Sequence, residues 1–394
     1  MTSSPVTVNG VNYAWPEAPV VVVCIDGGDP AYFERGLADG ILPNIARFTA
    51  EGYSGVADGT VPSFTCPNNM SLVTGVPASV HGISGNYYLD RASGEAVVMT
   101  GPELLRAETV LAGFSRAGAR VAAVTAKDKL RRQLAKGMDL IGGIAFSSEK
   151  ADQCTLAENG IEQVTELVGM PRPDMYVPEL SLFVLEAGIR LLATQRPQLM
   201  FLSLSDWVQH KFAPGEADAD DFYRKLDDCF GRLDALGAVL ALTADHGMND
   251  KSDANGNPKV VWLQDALDRE LGAGSTRVIC PITDAFVAHH GALGGFVRVW
   301  RMDPEVEVAA IMAIARAQPG VARVLDAATA AEEFDLPLDR EGDVVVIGDR
   351  GTVIGAAEAD HDLSGLAGHR LRSHGAPSEA RVPFILNRPL REEY

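Results

Sequence analysis

The sequence predicts an α/β protein with a doubly wound, mostly parallel sheet, helices on both faces and an inserted α+β cap. The first observation is an alternation of apolar runs and helical patterns between about residues 19 and 250. The second is that the runs VVVVCI, RVAAVTA, LMFLSLS and AVLALT are apolar almost throughout, rather than at every second position. Strands of a parallel sheet that is covered on both faces have this composition. Repeated strand–helix–strand order is typical of a doubly wound core.

The helices between these runs are predicted from apolar periodicity and from their terminal residues. In chain order they lie near LPNIARFTAEG, PNNMSLVTG, AETVLAGFSRAG, LRRQLAKG, PELSLFVLEAGIRLLATQ and DADDFYRKLDDCFGRLDAL. The second of them opens with a proline, which is favoured in the first turn of a helix.

A change of pattern after about residue 250 predicts a second structural unit. The polar stretch NDKSDANGNPK is followed by a strand, a helix and two strands, in GGFVRVWRM, DPEVEVAAIMAIARAQPG, VARVLDA and GDVVVIGD. We therefore predict a catalytic core at residues 1–257, an inserted α+β cap at 258–364 and a return to the core at 365–394.

The composition restricts the classes of partner. The chain has 394 residues and a formal net charge of −19. Nucleic acid and anionic membranes need a basic surface, so neither is expected as the main partner. A small anionic substrate is still allowed, because bound metal ions and a few lysines can reverse the local field. The sequence leaves the oligomeric state open, with a homodimer as one option.

The cysteines and the N-terminal sequence predict a cytoplasmic protein. The five cysteines are scattered and show no CxxC spacing, which favours reduced thiols over a disulfide framework. The N-terminal residues have neither a basic region nor a long apolar one, and VVVVCI is too short to span a bilayer.

Carboxylates and imidazoles follow three of the predicted strands. Asp26 comes after VVVVCI, Asp206 and His210 come after LMFLSLS, and Asp245 and His246 come after AVLALT. Such side chains bind zinc and related divalent ions, and the carboxyl ends of parallel strands meet at one edge of a sheet. Each residue alone has another interpretation, such as a turn aspartate or an exposed helix pair. His374, in RSHGAP, would by itself be interpreted as a surface histidine. Together the six supply two metal sites of three ligands each.

Thr65 lies in VPSFTCPNN, next to the predicted start of a helix. One interpretation is a helix N-cap, which is a common role for threonine. The other is a nucleophile, because a hydroxyl at a helix N-terminus and on a metal ion is easily deprotonated. A non-catalytic metal-binding sensor is a third option, but a closed structural zinc site does not need a hydroxyl.

Three further polar residues have two interpretations each. Lys127 and Lys129, in TAKDKL, follow a predicted strand and would share one side of an extended chain. They are either solvated surface lysines or ligands for an anion. Asn86, in SGNYYLD, is either a turn residue or a ligand for an oxyanion.

The order of these motifs resembles the alkaline phosphatase superfamily. The resemblance rests on Asp26 after a strand, Thr65 in PSFTCPN, Asn86, SDWVQH, ADHG and a late SHG. It is closest to the nucleotide pyrophosphatase/phosphodiesterase branch. Within that branch the chain is similar to enzymes that split phosphonoacetate into acetate and phosphate. The similarity covers about residues 19–250 and again about 365 to the end.

The resemblance implies two zinc ions and a role for each singled-out residue. Asp206, His210 and His374 would hold one ion, and Asp26, Asp245, His246 and the Thr65 oxygen would hold the other. Thr65 would attack phosphorus, and Asn86 with the Thr65 backbone N–H would hold a phosphonyl oxygen. Lys127 and Lys129 would receive the carboxylate of phosphonoacetate. The rival activity is a zinc phosphodiesterase or nucleotide pyrophosphatase. The cap, including His289 and His290, receives no catalytic residue.

Overall fold

The computed structural model describes residues 4–99, 101–283, 286–366 and 368–391. Residues 1–3 and 392–394, at the ends of the predicted core segments, lie outside this description. The strands of the described residues are β1 (Val6–Val8), β2 (Val11–Tyr13), β3 (Val20–Cys24), β4 (Tyr53–Asp58), β5 (Tyr87–Leu89), β6 (Ala96–Val98), β7 (Val121–Thr125), β8 (Ile144–Ser147), β9 (Leu199–Ser203), β10 (Val239–Thr243), β11 (Asn249–Asp250), β12 (Val260–Trp262), β13 (Thr276–Ile279), β14 (Phe296–Arg301), β15 (Val321–Asp326), β16 (Val344–Gly348), β17 (Val353–Gly355), β18 (Arg372–Ser373) and β19 (Arg381–Leu386).

Helices connect most of these strands. The α-helices are α1 (Pro30–Ala38), α2 (Pro43–Glu51), α3 (Thr65–Thr74), α4 (Ala78–His81), α5 (Val110–Arg116), α6 (Asp128–Leu134), α7 (Leu156–Asn159), α8 (Val164–Val168), α9 (Glu179–Thr194), α10 (Trp207–Lys211), α11 (Ala217–Ala235), α12 (Leu263–Leu271), α13 (Val308–Arg316) and α14 (Ala327–Phe334). Short 3₁₀ helices lie at Pro102–Leu104, Ala151–Gln153, Ala288–His290, Leu338–Arg340, Glu358–Asp360, Ser364–Leu366 and Pro377–Glu379.

The main sheet has the strand order β4-β19-β10-β3-β9-β7-β8. Strands β10, β3, β9, β7 and β8 are parallel to one another, whereas β19 runs antiparallel to both β10 and β4. The register aligns Thr243, Cys24 and Ser203, the last residues of three neighbouring strands. The loops that follow these strands therefore leave the sheet at the same level.

Both faces of this sheet are covered, which explains why the central strands are apolar almost throughout. Val21 and Val23 of β3 pack in the cluster that contains the apolar side of α9 and α11, including Phe183 and Phe230. The alternate residue Cys24 packs with α3, α5 and α6 in a second cluster. Period-2 alternation of side chains along a strand sends neighbours into these two layers.

A second sheet lies in the chain between β10 and β19 and has the order β13-β14-β16-β15, antiparallel throughout. It carries α12, α13 and α14, and its core includes Phe296 and Val345. We call residues 276–348 the second lobe. Phe64 and Ala376 belong to the same apolar cluster, so the lobe packs directly against the residue that precedes Thr65.

The predicted fold class is confirmed, with a mostly parallel main sheet and helices on both faces. The domain limits at residues 257 and 364 stay a prediction. Strands β4 and β19 were not recognised individually in the sequence, because β4 alternates and β19 contains Pro383. Among the described helices, none has both the length and the apolar character needed to cross a bilayer.

Candidate functional site

Three aspartates meet where strands β10, β3 and β9 end. Asp245, Asp26 and Asp206 follow these strands, and their exposed fractions are 1%, 0% and 4%. Because the strands are adjacent, parallel and in register, the carboxylates lie at one corner of the sheet. Burying three carboxylates together is very unfavourable unless cations or hydrogen-bond donors compensate them.

The first group of candidate metal ligands contains Asp206, His210 and His374. Their candidate ligand atoms all lie within 4.8 Å of one another. Asp206 precedes α10 and His210 lies one helical turn later, so their side chains meet with 3.1 Å between Asp206 Oδ2 and His210 Nε2. His374 Nε2 lies 3.8 Å from the same Asp206 oxygen. The structure thus brings together the three residues predicted for one metal ion.

The other ring nitrogen of each histidine fixes its orientation. His210 Nδ1 lies 2.7 Å from the Arg372 carbonyl, and His374 Nδ1 lies 2.7 Å from the Ser63 carbonyl. A carbonyl only accepts, so each Nδ1 carries a proton, and Nε2 is the ring atom of each histidine that remains to bind a metal ion. Metal-binding histidines in proteins are held in this way.

A second group contains Asp26, His246 and Asp206. Asp26 Oδ1 and His246 Nε2 are 3.2 Å apart, and both are buried atoms without a hydrogen-bond partner. Asp245 Oδ2 lies 3.8 Å from His246 Nε2 and accepts from Asn69 Nδ2, and its Oδ1 accepts from the Gly27 and His246 N–H groups. Asp206 therefore lies between the two groups, and Asp245 lies beside the second.

The charges of these side chains are strongly coupled. Burial, together with the nearby Asp26 carboxylate, raises the pKa of Asp245 to about 7. Burial opposes protonation of His246, but Asp245 and Asp26 raise its pKa to about 9. Burial, together with the nearby His246 and His210 rings, brings the pKa of His374 well below its ordinary value. The raised pKa of the Asp245 carboxyl and the lowered pKa of the His374 imidazole both reflect buried groups of like kind at close range, an arrangement that bound cations would relieve.

Thr65 is the first residue of α3, and Phe64 precedes it in an extended conformation. The structure thus differs from the interpretation of Thr65 as the N-cap residue, because Phe64 has that position and makes no side-chain cap. The side chain of Asn86 caps the helix instead, since its Oδ1 accepts from the Cys66 N–H at 3.0 Å. Thr65 is 2% exposed, so its hydroxyl lies in a buried site.

Contacts made by Asn69 and Phe64 connect Thr65 to the two groups of candidate metal ligands. Asn69 Nδ2 donates to the Thr65 carbonyl at 3.0 Å and to Asp245 Oδ2 at 3.1 Å. The Phe64 ring packs edge-on against the His374 ring, with 5.7 Å between centroids. Gly375 permits this contact, because its φ is +117° and an added Cβ would lie 2.4 Å from the Phe64 ring.

The two predicted substrate lysines occupy different positions. Lys127 is 2% exposed, and its Nζ lies 2.8 Å from Asp26 Oδ2 and 3.2 Å from Asp206 Oδ1. Lys129 is partly buried in α6, which begins at Asp128, so the expected shared side of an extended chain does not apply. The contacts of Lys127 place its ammonium group at the metal-binding corner.

Two histidines of the second lobe also reach this corner, and the sequence analysis assigned them no role. His210, His289 and His290 form a third group whose ligand atoms lie within 4.8 Å of one another. Burial and, to a smaller extent, the nearby His210 lower the pKa of His289 to about 3. In the sequence, these residues could have been noticed as two adjacent histidines followed by Gly291. Its location over His210 depends on how the lobe packs, which no local pattern reveals.

A buried ion pair anchors the loop that carries His374. Lys251 Nζ and Glu379 Oε1 are 3.0 Å apart and neither side chain is exposed. Glu379 Oε2 also accepts from the Ala376 N–H, and Oε1 accepts from Asn249 Nδ2. The segment after His246 and the loop after His374 are thereby joined.

Replacing Lys251 by methionine is expected to lower the free energy of unfolding by about 3–5 kcal/mol, because Glu379 would stay buried without its cation. The measurement is denaturant unfolding at equilibrium. The matched control is Lys225→Met, which breaks an exposed helical pair with Asp221 and should cost less than about 1 kcal/mol. Similar small losses in both variants would contradict this role of Lys251.

Comparisons with known proteins agree with this geometry. The family model described as type I phosphodiesterase/nucleotide pyrophosphatase matches residues 20–376. Phosphonoacetate hydrolase from Sinorhizobium meliloti 1021, solved in complexes with phosphonoacetate and with phosphonoformate, is 46% identical to this chain with a TM-score of 0.95. Each match covers 100% of this chain and 95% of the other.

A more distant match shows the fold alone. Murine ectonucleotide pyrophosphatase/phosphodiesterase 5 is 16% identical, with a TM-score of 0.63 over 94% of this chain and 88% of its own. The resemblance predicted from the order of motifs is thus confirmed. The chain belongs to the type I phosphodiesterase/nucleotide pyrophosphatase family, within the alkaline phosphatase superfamily.

Proposed function

We propose that this protein hydrolyses the carbon–phosphorus bond of phosphonoacetate, with two zinc ions and a covalent intermediate on Thr65. The observation that carries the proposal is the pair of carboxylate–imidazole groups beside Thr65 at the start of α3. The 46% identical neighbour that is named for this activity and was solved with phosphonoacetate supports the choice of substrate.

The residues of the two groups fit zinc. One group offers Asp206, His210 and His374, and the other offers Asp26 and His246 with Asp245 beside them. Mixed imidazole and carboxylate donors suit zinc better than magnesium or calcium. When bound, two such ions polarise the phosphonyl group and lower the pKa of a hydroxyl at the site.

In the first step, the Thr65 hydroxyl loses its proton to the solvent, Thr65 Oγ1 forms a bond to phosphorus and the carbon–phosphorus bond breaks. The electron pair stays on the carbon next to the carboxylate, which spreads it as an enediolate, and protonation gives acetate. The positive end of the α3 dipole favours an anionic oxygen near the start of this helix. Asn86 holds the Cys66 N–H in place and, in this proposal, also binds a phosphonyl oxygen.

In the second step, a water oxygen bonds to phosphorus and the Thr65 oxygen–phosphorus bond breaks. Thr65 recovers its proton and phosphate leaves. Lys127 and Lys129 have the role of holding the carboxylate, because ammonium groups stabilise the charge that develops there. Lys127 Nζ already lies between Asp26 and Asp206, so it also compensates the aspartates.

The phosphodiesterase activity is the second candidate, and the match to the phosphodiesterase family model favours it. Phosphate release from phosphonoacetate, compared with nitrophenol release from a nitrophenyl phosphodiester and from a nitrophenyl phosphomonoester, distinguishes the two. We expect phosphonoacetate to be hydrolysed with the highest kcat/KM of the three. Efficient cleavage of the diester with no turnover of phosphonoacetate would overturn the proposal.

Replacing Lys129 by methionine is expected to lower kcat/KM for phosphonoacetate roughly ten- to hundredfold. One charged hydrogen bond contributes about 1.5–3 kcal/mol, and about 1.4 kcal/mol is a factor of ten. A nitrophenyl phosphonate ester without a carboxylate should be far less affected. The measurement is a pair of steady-state assays on the two substrates.

The control for Lys129 is Arg132→Met, which removes an exposed cation from the same helix. It should leave both substrates unaffected. Equal losses on both substrates in the Lys129 variant would show that Lys129 does not recognise the carboxylate.

A further inference from the structure

Asn86 is held between helix α3 and the second lobe. Its Oδ1 accepts from the Cys66 N–H of α3. On the other side, its Nδ2 donates to the Ile282 carbonyl at 3.2 Å, and its backbone N–H donates to the Pro281 carbonyl at 2.8 Å. Pro281 and Ile282 follow β13 of the second lobe. The side chain proposed to bind a phosphonyl oxygen therefore takes its orientation from both parts of the molecule.

A buried ion pair of the second lobe reaches the same segment. Arg298 lies in β14, and neither its side chain nor that of Glu341 is exposed. Arg298 Nε donates to Glu341 Oε1 at 2.6 Å, and Nη2 donates to the Ser84 carbonyl at 2.9 Å. Ser84 is two residues before Asn86. One guanidinium group thus joins β14 to the stretch of chain that carries Asn86.

Gly85 allows the lobe to approach this stretch closely. A Cβ atom added at Gly85 would lie 2.9 Å from the Pro281 Cβ and 3.3 Å from Arg298 Nη1. Close-packed interiors transmit a displacement instead of absorbing it. A change at Arg298 should therefore be felt at Asn86, the next residue along the chain from Gly85.

Stability alone is a poor explanation for this ion pair. Removing two charges from water is costly, and apolar side chains of similar volume often stabilise a fold equally well. A guanidinium group differs from apolar side chains because its planar fork binds two acceptors in fixed directions. Here the two acceptors are the Glu341 carboxylate and the Ser84 carbonyl.

We propose that Arg298 is a positioning residue, which holds Asn86 in the orientation that binds a phosphonyl oxygen. Glu341 fixes the guanidinium group, and the Ser84 carbonyl passes its position on to Asn86. This inference rests on the role of Asn86 in the proposed function. It does not depend on the carboxylate of the substrate, so it applies equally to inorganic phosphate, which has the same kind of oxygen.

The first test replaces both charges, as Arg298→Met with Glu341→Leu, so that neither is left buried alone. We expect this paired variant to unfold at nearly the wild-type temperature. Its kcat for phosphonoacetate should fall about ten- to hundredfold, because small misplacements of a binding group are costly to turnover. The zinc-loaded variant should also bind inorganic phosphate about tenfold more weakly, as measured by titration calorimetry.

A double-mutant cycle with Asn86→Ala separates positioning from stability. If Arg298 acts through Asn86, the paired change should cost less than about twofold more once Asn86 has been removed. A purely structural role would give the same loss in both backgrounds. The control is Arg323→Met, which removes the cation of an exposed pair with Glu333 in the same lobe and should match the wild type.

Arg298→Lys is the second variant, and it decides the question if the paired variant does not fold. Lysine keeps a positive charge beside Glu341, but a single ammonium group does not replace the fork that also binds the Ser84 carbonyl. We expect the same losses of kcat and phosphate affinity as in the paired variant, again with less than about twofold further loss in the Asn86→Ala protein.

Wild-type turnover and phosphate affinity in Arg298→Lys or in the paired variant would overturn the proposal. An undiminished loss in the Asn86→Ala background would also overturn it, and would assign the effect to another contact, such as that of Arg298 with the Phe296 ring. The same conclusion follows if Asn86→Ala changes neither turnover nor phosphate affinity. If the wild type releases no phosphate from phosphonoacetate but the cycle on phosphate binding shows the coupling, the proposed substrate fails and this inference stands.

Discussion

Replacing Thr65 by alanine is expected to abolish phosphate release from phosphonoacetate, with a loss in kcat of about 10⁴-fold or more. The change removes the only protein atom that forms a bond to phosphorus in the proposed reaction. The fold should be retained, because the Asn86 side chain rather than Thr65 caps α3. Steady-state phosphate release, measured on protein with verified metal content, checks this result.

Two controls separate a nucleophile from a structural threonine. Thr65→Ser keeps a hydroxyl and should retain part of the activity. Thr74→Ala removes a second buried hydroxyl of α3, which donates to the Met70 carbonyl, and should leave kcat nearly unchanged. Turnover by the Thr65→Ala protein close to that of the wild type would show that Thr65 only begins the helix.

Removing the divalent ions is expected to eliminate activity and to lower stability. Asp26, Asp206 and Asp245 are buried together, so removal of the ions leaves three neighbouring carboxyl groups with fewer cations to compensate them. An ion at about a thousand times its Kd stabilises the folded state by about 4 kcal/mol. Dialysis against a chelator, followed by elemental analysis, activity assays and thermal unfolding, measures both effects.

Adding single metal ions back to the metal-free protein shows which ion supports turnover. We expect close to two zinc ions per chain, and addition of zinc should recover turnover. Magnesium should not replace it, since imidazole ligands disfavour this cation. A metal-free preparation with full activity would rule out the proposed mechanism.

The meeting of the three aspartates at the carboxyl ends of the parallel strands was predictable, because short stretches of sequence are enough to identify the residues that follow each strand. Asp26, Asp206 and Asp245 directly follow apolar runs, and parallel strands bring such ends together without further information. The His210 position followed from helical spacing after Asp206, and the structure places the two side chains in contact. These inferences need only the periods of strands and helices.

Other features depended on packing between distant segments. The Asp245 carboxylate accepts hydrogen bonds from Gly27, His246 and Asn69. The motif ADHG gives no indication that Asn69 is one of these partners. The prediction of an extended chain from Lys127 to Lys129 was wrong, because α6 begins at Asp128, one residue before Lys129. His289 reaches His210 only through the fold of the second lobe.

Strand β19 has a consequence for how the protein is made. It lies between β4 and β10, although it follows both of them by a long stretch of chain. During synthesis on the ribosome, β4 cannot pair in its final position until residues 381–386 have emerged. Pairing across such sequence distances is slow and leaves strand edges exposed to other chains. His374 emerges shortly before β19, so closure of the sheet and completion of the ligand set are both late events for the nascent chain.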